Sequence, residues 1–217
     1  MANLKIALTK GRLEKECVKM FEEIGFDCGA VKDKGRRLIL PITRATMQDK
    51  CVIECVLAKA ADVITYVSHG VCDLGVTGKD FIAETGGKYY EVADLGFGKC
   101  RFALAAPMNV RDFYCGCGQK IIATKYPNVA REFFDGKGMD IEIVKIEGSV
   151  ELAPLLGFAD GIVDIVETGA TLKENELEIK DVISDISARL IVNPASMKLK
   201  QTEIENLINL IEQRGKK

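Results

Sequence analysis

Gly161-Ile-Val-Asp-Ile-Val-Glu-Thr-Gly-Ala-Thr171 reads as a buried strand that runs into a small, hydroxyl-rich turn and then a polar helix. One acid, Asp164, interrupts the apolar run near its end. The turn Thr168-Gly169-Ala170-Thr171 carries two threonine hydroxyls. The first helical turn adds free N–H groups at the positive end of the helix dipole, which makes a natural phosphate cradle. A carboxylate beside such a cradle accepts two hydrogen bonds from a diol, so the pair suits a ligand with both a phosphate and ribose hydroxyls. A plain strand-to-helix turn is the competing reading.

Outward from this run the chain alternates strand and helix. Residues 4–8 are an apolar strand, and Leu13, Cys17, Met20, Phe21 and Ile24 follow at helical spacing until Gly25. Residues 38–42 and 51–57 read as a hairpin around a charged, mobile turn near 44–50. Asp62 is expected to cap a helix running to His69, with a short strand at 71–76 and a helix opened by Thr77-Gly78. Strands at 89–95, 101–106, 120–124, 141–146 and 161–166 are expected, with helices near 128–134 and from Ser149. A long extended segment at 182–192 precedes a last amphipathic helix, with Thr202 and Glu205 spaced as a capping box. This alternation implies an α/β fold with a mainly parallel sheet. The extended stretches around 91–106 and 179–192 are expected to cross between two lobes. One lobe would be residues 1–92 plus 180–217. The other, residues 93–179, would carry the phosphate turn. The ligand would then lie in a cleft between lobes, at strand C-termini.

The bulk numbers bound the function. The chain has 217 residues, 47% hydrophobic and 29% charged, with a net charge of −2. That charge offers no global attraction to nucleic acid or to an anionic membrane, so an anionic ligand needs local donors. No signal peptide is read and no apolar run reaches the ~18 residues of a membrane span, so the expected location is cytoplasmic. The eight cysteines are expected as cytosolic thiols, with Cys51 and Cys55 as packing residues. Cys115-Gly-Cys117 is the one close pair, and it has no second Cys/His pair at zinc spacing. The single histidine, His69, sits where a helix C-terminus is expected, which leaves histidine-based triads without a candidate.

Three further loops carry chemistry. Thr9-Lys10-Gly11-Arg12, between a strand end and a helix start, is either a surface turn or a polyphosphate clamp of one planar fork and one point charge. Leu95-Gly-Phe-Gly-Lys-Cys-Arg101 is either a hinge or a close-approach loop, whose Arg101 meets a phosphate or stacks on a base. In Glu147-Gly-Ser-Val-Glu151, Gly148 and Ser149 start a helix that can donate to an anion, and Glu151 is either solvated or a second site carboxylate.

Taken in order, Ala7-Leu-Thr-Lys-Gly-Arg-Leu13, His69-Gly-Val-Cys-Asp-Leu-Gly-Val-Thr-Gly-Lys-Asp80, Gly96-Phe-Gly-Lys-Cys-Arg101, Ile122-Ala-Thr-Lys-Tyr-Pro127, Glu147-Gly-Ser-Val-Glu-Leu-Ala-Pro154 and Ala159-Asp-Gly-Ile-Val-Asp-Ile-Val-Glu-Thr-Gly-Ala-Thr-Leu172 resemble the catalytic subunits of the ATP phosphoribosyltransferase family, over nearly the whole chain. The resemblance implies a two-lobed fold like that of type II periplasmic binding proteins. It implies a glycosyl transfer that joins N1 of the adenine of ATP to C1 of phosphoribosyl pyrophosphate (PRPP), the first step of histidine biosynthesis, with Mg2+ held through PRPP. On this sequence it makes Thr168, Gly169, Ala170 and Thr171 the 5′-phosphate cradle, and Gly148 and Ser149 are further expected substrate-binding residues. Asp164 and Glu151 become partners of the ribose or of nearby substrate groups. Lys10, Gly11, Arg12 and Arg101 become contacts to ATP or pyrophosphate. Asp164, Glu151 and Arg12 are the expected catalytic residues. The chain ends after its amphipathic helix, like the family's short form. That form implies a homodimer within a hetero-oligomer containing a histidyl-tRNA-synthetase-like regulatory subunit. A non-catalytic cytosolic nucleotide or sugar-phosphate sensor is the alternative.

Overall fold

The computed structural model describes residues 4–45, 50–115 and 118–214. The tip of the expected 44–50 turn, Cys117 and the Lys216-Lys217 tail lie outside the described residues. The chain forms two compact units, Met1–Gly98 with Ser187–Lys217, and Lys99–Ile186.

The first unit begins with β1 (Leu4–Thr9), α1 (Arg12–Glu23), α2 (Gly29–Lys32), β2 (Ile39–Ala45), β3 (Lys50–Ala58), α3 (Ala60–Ser68), β4 (Leu74–Gly78), α4 (Lys79–Thr85) and β5 (Tyr90–Asp94). The second contains β6 (Cys100–Pro107), β7 (Lys120–Thr124), α5 (Pro127–Gly136), β8 (Ile141–Lys145), α6 (Leu152–Leu155), β9 (Gly161–Val166), α7 (Ala170–Glu174) and β10 (Leu177–Ile186). The chain then returns to the first unit as β11 (Ala188–Val192), α8 (Pro194–Leu199) and α9 (Gln201–Arg214). The unit boundaries fall after Gly98 and Ile186, where the sequence placed them after residues 92 and 179. Pairing explains the position: β5 stays with β11 in the first sheet, and β10 pairs with β6 along its length in the second.

The first unit's sheet has the order β2-β3-β1-β4-β11-β5, and the second's β10-β6-β9-β7-β8. Both are mixed, which corrects the mainly parallel expectation. In the first, β1 runs parallel to β3 and β4, while β2, β11 and β5 pair antiparallel. In the second, β7 is parallel to β8 and β9, while β6 and β10 pair antiparallel. The antiparallel members are the β2–β3 hairpin and strands beside the two crossings. Strand–helix alternation carries no information about those returns.

Period-2 and period-3.6 patterns build the cores. On β1, Leu4, Ile6 and Leu8 face one cluster with Cys17, Met20 and Phe21 of α1, while Ala7 faces the other side with Val63 and Val67 of α3. The C-terminal helices are tied down by Asp73. Its carboxylate accepts from Lys5 N–H at 2.8 Å, Ser196 Oγ at 2.7 Å and Lys200 Nζ at 2.7 Å. Two cap assignments are corrected. Asp62 lies inside the first turn of α3, whose N-cap is Lys59. Thr202 is the second residue of α9, which starts directly behind α8. His69 does sit at the α3 C-cap, exposed, with Nδ1 2.9 Å from the Thr65 carbonyl oxygen. The expected strand at 182–192 is two strands, β10 and β11, broken at Ser187.

Among the described residues, no helix is long and apolar enough to cross a membrane. Cys17, Cys28, Cys55 and Cys72 are buried thiols. Burial pushes Cys28 and Cys72 up to about 11 and Cys55 up to about 12, which keeps them as inert packing residues.

Gly161 opens β9 where a side chain has no room. A Cβ there would stand 2.9 Å from the Ala105 carbonyl oxygen and 2.9 Å from the Phe113 ring. Gly161→Ala is therefore expected to destabilise the second unit by about 1–3 kcal/mol, read as a lowered denaturant midpoint.

Candidate active site

The site grows from the central strand of the second unit. β9 lies between β6 and β7, and its side chains alternate. Val163 and Ile165 face the cluster of Phe102, Ile122 and Phe134. Ile162 and Val166 face a second cluster that includes Ala103, Ala105, Ala123, Val150 and Leu172. Asp164 shares this second face by strand alternation and pairs directly with Ala103 of β6. Alanines on both neighbouring strands let the Val150 loop pack closely over the sheet. That packing leaves Asp164 half-buried.

Burial is the main reason that Asp164 is pushed up from 3.8 to about 6, with the negative charge of Glu151 adding to it. A backbone hydrogen bond from Ile165 and the charge of Lys125 act the other way. Glu151 is near enough for its charge to act on Asp164, and it is half-buried rather than fully exposed. Glu151 is the N-cap of α6. The helix expected from Ser149 starts only at Leu152 and makes a single turn, so Gly148 and Ser149 are exposed loop residues ahead of it.

Lys125 is the residue that the sequence reading missed. β7 runs parallel to β9 with Thr124 opposite Val163, which sets Lys125 level with Asp164 one step on. Thr124 fixes that step: its hydroxyl donates to the Val163 carbonyl at 2.6 Å and accepts from Tyr126 N–H at 2.9 Å. A cation just past a strand end in the Ile122–Pro127 motif was the available signal, but its partner lies 39 residues further along the chain.

Arg101 shares the same face. In the β6–β9 pairing it stands opposite Val166, two residues along β6 from Ala103, which makes it a diagonal neighbour of Asp164. Its Nε–H is buried with no acceptor among the described residues. A buried charged donor without an acceptor is costly unless a ligand supplies one.

Beyond Val166 the chain turns through Glu167, Thr168 and Gly169 into α7. Gly169 adopts φ 79°, ψ 4° as the N-cap, a left-handed conformation that side chains resist. The Thr168 hydroxyl accepts from Ala170 N–H at 3.4 Å. Thr168, Ala170 and Thr171 are exposed. α7 has five residues, so the helix-dipole part of the expected cradle is corrected: a single turn sums few peptide dipoles. What the turn itself presents is local amides and hydroxyls.

The second unit thus gathers Arg101, Glu151, Asp164, Lys125 and the 168–171 turn at one end of its sheet. Lys10, Gly11 and Arg12 belong to the first unit, all exposed, at the C-terminal end of β1. Gly11 takes φ 93°, ψ −129° as the N-cap of α1. Among the described residues, no three His, Cys, Asp or Glu side chains converge on a point that would hold a metal.

Residues 59–213 match the family model HisG, ATP phosphoribosyltransferase. A protein of Clostridium kluyveri called ATP phosphoribosyltransferase is 58% identical over 209 residues, covering 96% of this chain and 92% of that protein. One of the same name from Listeria monocytogenes serotype 4a is 53% identical over 98% of this chain and 96% of its own length. Among solved structures, a chain of the ATP phosphoribosyl transferase (HisG:HisZ) complex from Thermotoga maritima superposes with a TM-score of 0.79 at 35% identity, over 97% of each chain. The periplasmic aliphatic sulphonate binding protein SsuA from Escherichia coli superposes with a TM-score of 0.58 at 13% identity, over 98% of this chain and 68% of its own. That likeness concerns the fold alone, a two-lobed α/β architecture of the type II periplasmic-binding-protein kind.

Proposed function

This chain belongs to the ATP phosphoribosyltransferase family, and from that premise we propose how its own residues perform the reaction. The reaction is the first step of histidine biosynthesis. N1 of the adenine of ATP bonds to C1 of PRPP, the C1–oxygen bond breaks, and its electron pair leaves with pyrophosphate.

The 5′-phosphate of PRPP is held by the amides and hydroxyls of residues 168–171, with Gly148 and Ser149 nearby. Asp164 and Glu151 orient the ribose hydroxyls and, as carboxylates, stabilise the positive charge that grows on the sugar as pyrophosphate departs. Arg101 supplies its unsatisfied Nε–H to a phosphate oxygen. Lys10 and Arg12 bind a polyphosphate, of ATP or of the leaving group. Adenine N1 is already nucleophilic, so positioning supplies much of the rate, on the order of 7–11 kcal/mol. Magnesium would enter with the PRPP substrate and would supply charge neutralisation for the departing pyrophosphate, beside Lys10, Arg12 and Arg101. This suits an ion that prefers substrate phosphates with one or two carboxylates over an all-protein cage. The observation that carries the assignment is the orphaned Arg101 donor on the same sheet face as the half-buried Asp164, on the strand that leads into the 168–171 turn.

A histidyl-tRNA-synthetase-like regulatory subunit is the proposed partner, with this chain as a homodimer inside the larger assembly; the Thermotoga maritima relative is itself solved as a HisG:HisZ complex. The proposed location is the cytoplasm, where ATP and PRPP are available. Mixing the protein with ATP, PRPP and Mg2+, with and without that partner, and measuring pyrophosphate is the test. Release that depends on both substrates is expected, and binding without release in either mixture would refute catalysis.

Asp164 must be ionised to stabilise a cationic sugar. kcat/KM for PRPP is therefore expected to rise with pH through about 6. Lys125 favours the ionised form, so Lys125→Met should move this limb to higher pH. A limb that stays in place would remove Lys125 from the site's electrostatics.

A further inference from the structure

We infer that Glu14 and Lys34 form a positioning pair that sets the Lys10-Gly11-Arg12 loop for substrate. The inference rests on the reading of that loop as a polyphosphate contact.

The N-cap of α1 is Gly11, which has no side chain to hold the amides of the first turn. Glu14, at the third helical position, reaches back instead: its Oε2 accepts from Gly11 N–H at 3.4 Å. The loop's entry into the helix passes through a Gly11 conformation that only glycine adopts easily, and no heavy atom lies within 4 Å of where a Cβ would stand. Side-chain packing therefore does not hold the loop from that side; Lys10 N–H donates to the Ala58 carbonyl at 2.9 Å, and the Glu14 carboxylate holds the next amide, that of Gly11. Glu14 is only 8% exposed. A carboxylate so buried needs a partner. Lys34 provides it from the turn after α2, twenty positions along the chain, with its ammonium on Oε1. One carboxylate thus joins the Gly11 amide, between Lys10 and Arg12, to a lysine outside every motif of the family resemblance.

Removing Lys34 leaves Glu14 buried and uncompensated, which drives the side chain toward water and releases the Gly11 amide. Glu14→Gln keeps an acceptor for that amide and needs no cation. The two changes should therefore compensate. The experiment measures KM for ATP and for PRPP, kcat and melting temperature in Lys10→Ala, Lys34→Met, Lys34→Arg and the double variant Glu14→Gln/Lys34→Met. Lys10→Ala identifies the substrate that the loop serves. Lys34→Met is expected to raise KM for that same substrate about tenfold, with a smaller change in kcat. Lys34→Arg should restore it to within about twofold, and the double variant should recover most of the loss. If Lys10→Ala raises a KM and Lys34→Met lowers only the melting temperature, the pair is structural and the inference fails alone. If Lys10→Ala leaves both KM values unchanged, the loop reading fails and takes the inference with it.

Discussion

Asp164→Asn is expected to abolish most turnover while making the protein more stable at neutral and alkaline pH. The two effects come from one cause. The carboxyl of Asp164 is pushed from 3.8 up to about 6 by burial and by Glu151. A folded-state value above the unfolded one means that the folded chain binds the proton more tightly. The associated stability is fully present below about pH 3.8 and is lost as pH rises through about 6. At pH 8 the ionised, poorly hydrated carboxylate destabilises the fold by on the order of 2–3 kcal/mol. Asparagine keeps the shape and removes the charge. Its melting temperature should exceed that of the native protein by several degrees at pH 8 and converge with it near pH 4. Catalysis should move oppositely, because the growing charge on the ribose loses the carboxylate placed against it; a fall in kcat of about 100-fold or more is expected. Thermal melts across pH, beside pyrophosphate release, read both. Unchanged stability at pH 8 would deny the burial, and near-native turnover would deny the role. Strain or repulsion of this kind at a reactive centre is a common cost of function.

The second large effect concerns the 168–171 turn. Thr168→Val with Thr171→Val should raise KM for PRPP by about 100-fold or more, since each hydrogen bond to a charged group contributes roughly 1.5–3 kcal/mol. KM for ATP should change little. Both threonines are exposed, so the melting temperature should stay close to native. Isothermal titration with PRPP and Mg2+ reports the loss directly. Native PRPP affinity in this variant would place the phosphate elsewhere and overturn the cradle.

Both predictions involve residues that were legible as candidates before any fold was known. The strand at 161–166, its interrupting acid and the glycine-bearing turn are local signals, carried by residues within eleven positions of one another. The alternation of strands and helices was legible for the same reason. Other features were not. The one-turn lengths of α6 and α7 escaped because short helices lack a full period to display. Lys125 and Arg101 escaped as neighbours of Asp164 because parallel and antiparallel registers, not sequence proximity, bring them level with it.

By itself the sequence determined which residues face inward on each element, which turn is the candidate for phosphate-type donors, and the family to which the chain belongs. These follow from side-chain chemistry and from backbone periods of 2 and 3.6 residues. Only the tertiary structure decided strand direction in the two mixed sheets, the burial that raises Asp164 to about 6, the orphaned Arg101 donor and the Glu14–Lys34 pairing. Each depends on solvent exclusion or contact between segments distant in the chain, and desolvation belongs to the packed assembly of neighbours, which no single stretch of residues encodes.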